Sequence, residues 1–373
     1  MKVWVVGRGY PTPDNGMWGS FELEQAKLLA RQGYDVSYIA LTLSFFDRKD
    51  PRGLRVFEED NVHVVTYSHF YFPGKLGIYW KSFEDRCWRK LFDTAEKNRR
   101  PDTIHIHYPS MLSSINVVEE YRKQGVKLFV TEHWSRVLIN NLKKHELARL
   151  KYYASCANFF ASVGEPLQEA VKKLVSVTVP MTIIPNIVSP VFFEKRDVGK
   201  HPFTFICVGR VVPLKQFDKV IQKFAKQFAG NNDVRLVIIG SGSDKSNLES
   251  MTKHDNRITL TGELKLSDVA ARIAQSDALI SFSKYETFAA PVAEAWACGK
   301  PVIVSNTSGT ASYVTEELGM VVSHDSPDEL GDAMRRIYEN QYDPSGIRKF
   351  AAEHFSDEAV MAKLSRMYAE GEK

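Results

Sequence analysis

A repeated alternation constrains this chain more than any other feature: short apolar runs separated by amphipathic stretches of helical period. VWVVG is followed by a helical pattern over 21–32, then DVSYIAL and NVHVVTY, with TIHIHYP, VKLFVTEH and NFFASVG further on. Strands divided by helices give a mostly parallel sheet covered on both faces, because a parallel pair needs a crossover and a helix usually supplies it. The rhythm breaks over 186–202, NIVSPVFFEKRDVGKHP, where prolines and charges argue for a linker. It restarts with FTFICVGR, a helix over 217–228, VRLVIIG, ITLTG, a helix over 266–275, ALISF and PVIVS. The expected fold class is α/β, with two Rossmann-like domains facing each other across a cleft. Residues 1–190 form the first, 191–355 the second, and 356–373 a terminal amphipathic helix. Ligands of such sheets bind beyond the carboxyl ends of the strands, so the loops that follow strands carry the functional weight.

The remaining bulk properties narrow the function classes. At 373 residues the chain exceeds one ordinary core and suits two domains. A net charge of +4, from 49 basic and 45 acidic residues, is too small to argue for a nucleic-acid partner. Cys87, Cys156, Cys207 and Cys298 are scattered, with no C-x-x-C pair and no histidine at metal spacing. They read as reduced thiols of a cytoplasmic protein, and no metal site is expected. MKVWVVGRGY meets glycine and proline too soon for a signal peptide, and no apolar stretch approaches the roughly 18 residues of a membrane span.

The run 281–309, SFSKYETFAAPVAEAWACGKPVIVSNTSG, places Glu286 and Glu294 on either side of a helix start. Pro291 suits the first helical turn, 293–297 propagates a helix, Gly299 suits a left-handed cap, and Pro301 stops any continuation. A helix N-terminus directs free amides at whatever occupies the loop before it, so an anion is favoured there. One carboxylate before the helix and one inside it suit a sugar joined by a diphosphate to a nucleoside. The amides take phosphate while the carboxylates take vicinal hydroxyls.

This E-x7-E pattern, followed by an A-C-G-x-P-V strand, resembles the signature of the retaining glycosyltransferases of the GT-B fold, family 4. The flanking SFSKYETF and ACGKPVIVSNTSG match in order as well. The resemblance implies transfer of a sugar from a nucleotide diphosphate sugar to a hydroxyl of a glycan or lipid-linked acceptor, in cell-surface polysaccharide biosynthesis, with no cofactor and no metal. It implies that Glu286 holds sugar hydroxyls, that Glu294 holds the ribose, and that the backbone around Thr287, Phe288, Ala289 and Ala290 meets the donor. Glycines are usual in that family where this chain has Thr287 and Ala289, which leaves the donor open. The resemblance also implies that the terminal helix crosses back to the first domain.

Arg210 and Lys215 in VGRVVPLKQF read by themselves as charges at a strand end; the resemblance makes them the pair that binds the donor diphosphate. A departing nucleoside diphosphate gains negative charge, and a guanidinium with an ammonium stabilises it without a metal. Gly240 and Gly242 in IIGSGSDKSNLES are turn residues by pattern, and the resemblance places the turn near the donor nucleotide. Gly16 and Gly19 precede a helix in the loop after the first strand, which reads either as a capped turn or as a flexible loop closing over phosphate and acceptor. A dehydrogenase fingerprint is excluded, because the spacing is not G-x-G-x-x-G and the second strand ends without an acidic residue. His133 and His107 each end a strand, where packing is the ordinary role; the resemblance makes His133 the histidine that faces donor sugar and acceptor. The helical stretch 74–100 carries apolar residues beside basic ones and is expected to pack on its own sheet. Its alternative is an interfacial helix on anionic lipid, with the protein peripheral on the inner face of the membrane. A nucleotide-sugar epimerase of the same fold and a non-catalytic nucleotide-sugar-binding protein are the competing functions.

Overall fold

The structure is a computed structural model that describes residues 1–12, 18–44, 52–70, 77–112, 114–196 and 198–371. It divides into two compact units, Met1–Ile187 with Met361–Lys373, and Val188–Val360.

The first unit is an eight-stranded sheet of β1 Lys2–Gly7, β2 Asp35–Ser44, β3 Gly53–Glu59, β4 Val62–Phe70, β5 Thr103–His107, β6 Lys127–Glu132, β7 Phe159–Ser162 and β8 Met181–Ile183. The strand order is β3-β4-β2-β1-β5-β6-β7-β8. Every pairing is parallel except β3 with β4. The order reverses between β1 and β5, so the loops after β1, β5 and β6 gather at one end of the sheet, where such folds bind ligands. β1 and β5 are buried at every position, as continuous apolar runs between two helical layers should be. β3, GLRVFEE, is an edge strand with alternating exposure and charges at Arg55, Glu58 and Glu59, the composition that keeps an edge from pairing further.

Helix Gly77–Glu96 occupies most of the amphipathic stretch expected over 74–100; residues 74–76 lie outside the described ones, as do the side chains of Tyr79 and Trp80. Cys87, Trp88, Leu91 and Phe92 are buried, and the Phe92 ring meets Trp4 of β1 edge-on at 5.3 Å. This part of the apolar face packs on the helix's own sheet. Among the described residues no helix is long and apolar enough to cross a membrane.

The second unit is a parallel six-stranded sheet of β9 Phe203–Val208, β10 Val234–Ile239, β11 Ile258–Gly262, β12 Ala278–Ser281, β13 Val302–Ser305 and β14 Gly319–Val322. Its order, β11-β10-β9-β12-β13-β14, reverses between β9 and β12. One core joins Phe205 and Cys207 of β9 to Phe217, Val220 and Phe224 of helix Phe217–Gln227 and to Leu330, Met334 and Ile337 of helix Pro327–Glu339. Apolar positions every three to four residues direct these helices onto the sheet. The loops after β9, β10, β12 and β13 therefore emerge at one sheet edge.

Candidate functional site

In the second unit, the loop after β9 carries Arg210 and a single 3₁₀ turn, Pro213–Lys215. The Lys215 ammonium forms an ion pair with Glu286, which follows β12; both side chains are largely buried. Ser283 Oγ donates to the same Glu286 oxygen at 3.1 Å. The backbone fixes Glu286 from both sides: its N–H donates to Thr307 O at 3.2 Å, and its carbonyl accepts from Gly309 N at 3.0 Å. Two loops are thereby tied to the carboxylate's position. Arg210, by contrast, is exposed and has no partner among the described residues.

The turn after β10 packs directly on the loop after β9. A Cβ at Gly240, whose φ is 137°, would lie 1.9 Å from the Gly209 carbonyl oxygen, and one at Gly242 would lie 2.2 Å from that of Val211. Glycine is required at both because backbone meets backbone. Val211 N donates to Ser241 O at 2.9 Å and Asp244 N to Val211 O at 3.0 Å, so the Arg210 loop and the Gly-Ser-Gly turn form one hydrogen-bonded layer.

Helix Ala290–Ala297 starts at the far end of the Glu286 loop, with Pro291 in its first turn as expected, and Gly299 follows it at a φ of 75°. The amides of Thr287, Phe288, Ala289 and Ala290 find no acceptor among the described residues, which leaves a set of donors at a helix N-terminus. The Phe288 ring is buried against Phe355 of helix Pro344–Phe355, so its backbone is the part left for a ligand. Ala289 takes φ 67° and ψ 66°, the left-handed region that disfavours any residue with a Cβ. Ala289→Gly is expected to stabilise the fold by about 0.5–1 kcal/mol, the left-handed cost relieved less the entropy of glycine. Urea unfolding measures it, and a loss of stability would show that burial of the methyl group outweighs the backbone cost.

Glu294 projects from this helix, half-buried, and its carboxylate has no partner among the described residues. Burial alone pushes its carboxyl up to about 7 from an ordinary 4.5. An unpaired, desolvated carboxylate is costly to keep, and such groups are enriched at binding sites.

In the first unit, Gly19 precedes helix Ser20–Arg31 at a φ of 87°, where a Cβ would lie 2.1 Å from the Gly9 carbonyl oxygen. The Tyr38 hydroxyl donates to Gly9 O at 2.5 Å and also reaches Gly19 O at 3.2 Å, pinning both ends of this loop. Gly16 lies outside the described residues. His133, just after β6, is buried; its ring stacks on Tyr108 with centroids 4.7 Å apart, and its Nε2 lies 2.8 Å from Nδ1 of His107. Desolvation holds His107 and His133 well below the ordinary histidine value, so both rings are neutral at pH 7. Glu132 accepts from the His133 and Trp134 amides, both at 2.9 Å, and from Ser110 Oγ at 2.6 Å, which sets the backbone on which His133 sits.

Sequence reasoning passed over two residues here. Arg8, after β1, pairs with the buried Glu22 at 3.3 Å and lies over the Tyr108 ring at 4.4 Å. Gln25 reaches His105 and His107, both at 3.2 Å. Neither belongs to a recognisable motif, and the strand-end position of Arg8 is the one signal that pointed to it.

Residues 189–354 match the family described as glycosyl transferases group 1, and residues 22–192 match glycosyltransferase family 4. The chain belongs to glycosyltransferase family 4. It is a glycosyltransferase of the GT-B type. Among family relatives, an N-acetyl-alpha-D-glucosaminyl L-malate synthase of Bacillus anthracis is 22% identical over 319 residues, covering 81% of this chain and 79% of the relative. A sucrose-phosphate synthase from Thermosynechococcus elongatus shares the fold, with a TM-score of 0.76 at 18% identity over 99% of this chain and 98% of that one. An Anabaena protein solved in complex with UDP-glucose has a TM-score of 0.70 at 15% identity, covering 99% of each chain.

Proposed function

We propose that this glycosyltransferase moves a glycosyl group, with retention, from a nucleotide diphosphate sugar to a hydroxyl of a glycan or lipid-linked acceptor, in cell-surface polysaccharide biosynthesis. The observation that carries this reading is the convergence at one sheet edge of the Lys215–Glu286 pair with the free amides at 287–290. Sugar-binding carboxylate, leaving-group cation and anion-seeking amides are built into a single hydrogen-bonded framework.

In the proposed reaction the bond between the anomeric carbon and the β-phosphate oxygen breaks while the acceptor oxygen bonds the same carbon from the same face. The acceptor proton passes to the departing phosphate oxygen. Lys215 and Arg210 stabilise the charge gathering on that diphosphate, and the amides at 287–290 add to it. Glu286 orients sugar hydroxyls, Glu294 accepts from the ribose, and Gly240 and Gly242 bring the turn after β10 close to the nucleotide. Gly16, Gly19 and His133 are assigned to acceptor and donor sugar. The charge is carried by side chains and amides, and no metal or cofactor enters the scheme. The setting proposed is the cytoplasm, at the inner face of the membrane where a lipid-linked acceptor is presented.

The test incubates the purified full chain with UDP, GDP and ADP sugars, with and without glycan acceptors, small hydroxy acids and a cell lipid extract. Released nucleotide reports turnover, and the anomeric configuration of the product is read by NMR. An axial-donor sugar yielding an axial product supports the scheme; inversion overturns the same-face step. Tight nucleotide-sugar binding with no turnover under any acceptor condition overturns transfer itself.

A further inference from the structure

Four buried polar side chains of the first unit form a chain that leads away from His133. His133 Nε2 lies 2.8 Å from His107 Nδ1; His107 Nε2 lies 3.2 Å from Gln25 Nε2; Gln25 Nε2 lies 3.2 Å from His105 Nδ1. At its end, the Tyr368 hydroxyl of helix Asp357–Gly371 lies 2.7 Å from the same His105 Nδ1. His105 is fully buried, His107 and Tyr368 nearly so, and the His105 and His107 rings stack at 4.6 Å. Desolvation pushes His105 down to about 3 and His107 and His133 well below the usual value, so each imidazole carries one ring proton.

We infer that the Tyr368 hydroxyl fixes the proton of His133 on Nδ1, making it a hydrogen-bond donor in the site and excluding it as a base. The steps follow from donor counting. Burial holds the Tyr368 phenol protonated, and its one acceptor among the described residues is His105 Nδ1. That nitrogen is therefore bare, and the His105 proton sits on Nε2, donating to Thr131 Oγ1 at 2.8 Å. A bare His105 Nδ1 repels a carbonyl oxygen, so Gln25 turns its NH₂ toward it. The second hydrogen of that NH₂ faces His107 Nε2, which must then accept. His107 carries its proton on Nδ1 and donates to His133 Nε2. His133 is left with its proton on Nδ1. A group that can only donate from its remaining ring nitrogen suits a sugar hydroxyl or a phosphate oxygen, and in the proposed reaction it leaves acceptor deprotonation to the departing phosphate. This functional consequence rests on the assignment of His133 to the site; the proton position does not.

Nitrogen-15 NMR of the histidine rings in the full-length chain reads the proton positions directly, with the His133 signals assigned by their loss in His133→Asn. The expected wild-type pattern at neutral pH is a protonated Nδ1 and a bare Nε2 for both His107 and His133. In Tyr368→Phe the donor is gone, Gln25 is released to turn over, and a second set of His107 and His133 signals with protonated Nε2 is expected. Turnover in that variant is expected to fall about 2- to 10-fold, the scale of one hydrogen bond. A wild-type His133 protonated on Nε2 or on both nitrogens overturns the inference, as does an unchanged pattern in Tyr368→Phe. Should the pattern be as inferred while His133→Ala turns over like wild type, the assignment of His133 to the site falls and the proton position stands.

Discussion

Replacing Lys215 with alanine is expected to lower turnover about 10²- to 10³-fold, the loss seen when one fixed donor to a developing anion is removed. Two effects act together. In the proposed reaction the departing diphosphate loses one of its two cations, and Glu286, largely buried and paired with Lys215, is left without its counter-charge. The first effect belongs to the transition state and reads out in the turnover number; the second perturbs sugar binding and reads out in the donor KM. Lys215→Arg is not expected to restore activity, for a geometric reason. The Lys215 Cε lies 3.2 Å from where a Cβ on Gly209 would stand, so the ammonium threads past a glycine in a space that a planar guanidinium overfills. Steady-state kinetics of both variants decide the matter. A Lys215→Ala enzyme with wild-type turnover would remove the lysine from the reaction and with it the proposed leaving-group clamp.

The clamp also shows how far the sequence alone could be read. Helix Ala290–Ala297, its proline start and its glycine stop were legible because each rests on a local backbone preference. The strands of both sheet centres were legible as apolar runs. β3 was not, because an edge strand that alternates charge with apolar residues makes no such run, and its partner is set by pairing with β4. β8, at three residues, is too short to announce itself, and β14, GMVV, is an edge strand whose two middle positions are not buried, so neither makes a distinct apolar run. Glu286 and Lys215 were each singled out, yet their pairing across 71 positions was not, since it depends on how the loop after β9 folds over the loop after β12. Gln25 and Tyr368 gave no signal at all. A glutamine on an amphipathic helix and a tyrosine near the chain end look like ordinary surface residues until the sheet brings His105 and His107 between them.

Glu294→Gln is expected to weaken donor binding about 10- to 100-fold while making the protein more stable above pH 7. The sign follows from the raised carboxyl. With a native value of about 7 against 4.5 unfolded, the folded chain holds a proton between those pH values that the unfolded chain has released. Stability therefore falls as pH climbs through that window, and above it the unpaired carboxylate costs up to about 3 kcal/mol. A glutamine removes that cost at high pH and gains nothing near pH 4, below the unfolded value, where the wild-type carboxyl is protonated in the folded and the unfolded chain alike. Thermal unfolding of the two proteins should accordingly coincide near pH 4 and separate, with the variant increasingly higher, between pH 5 and pH 8. Function runs the other way, because a carboxylate accepts from two ribose hydroxyls more strongly than an amide does. The wild-type donor KM should rise as pH drops below 7 and the carboxylate takes up its proton, and the variant's should stay flat at the weaker value. A stability gain with no change in donor KM would make Glu294 a strained structural residue and detach it from the ribose. Both curves flat would mean that the carboxyl is not desolvated in the native protein. The expected combination, stability gained where affinity is lost, is what marks a buried charge held in place for a ligand.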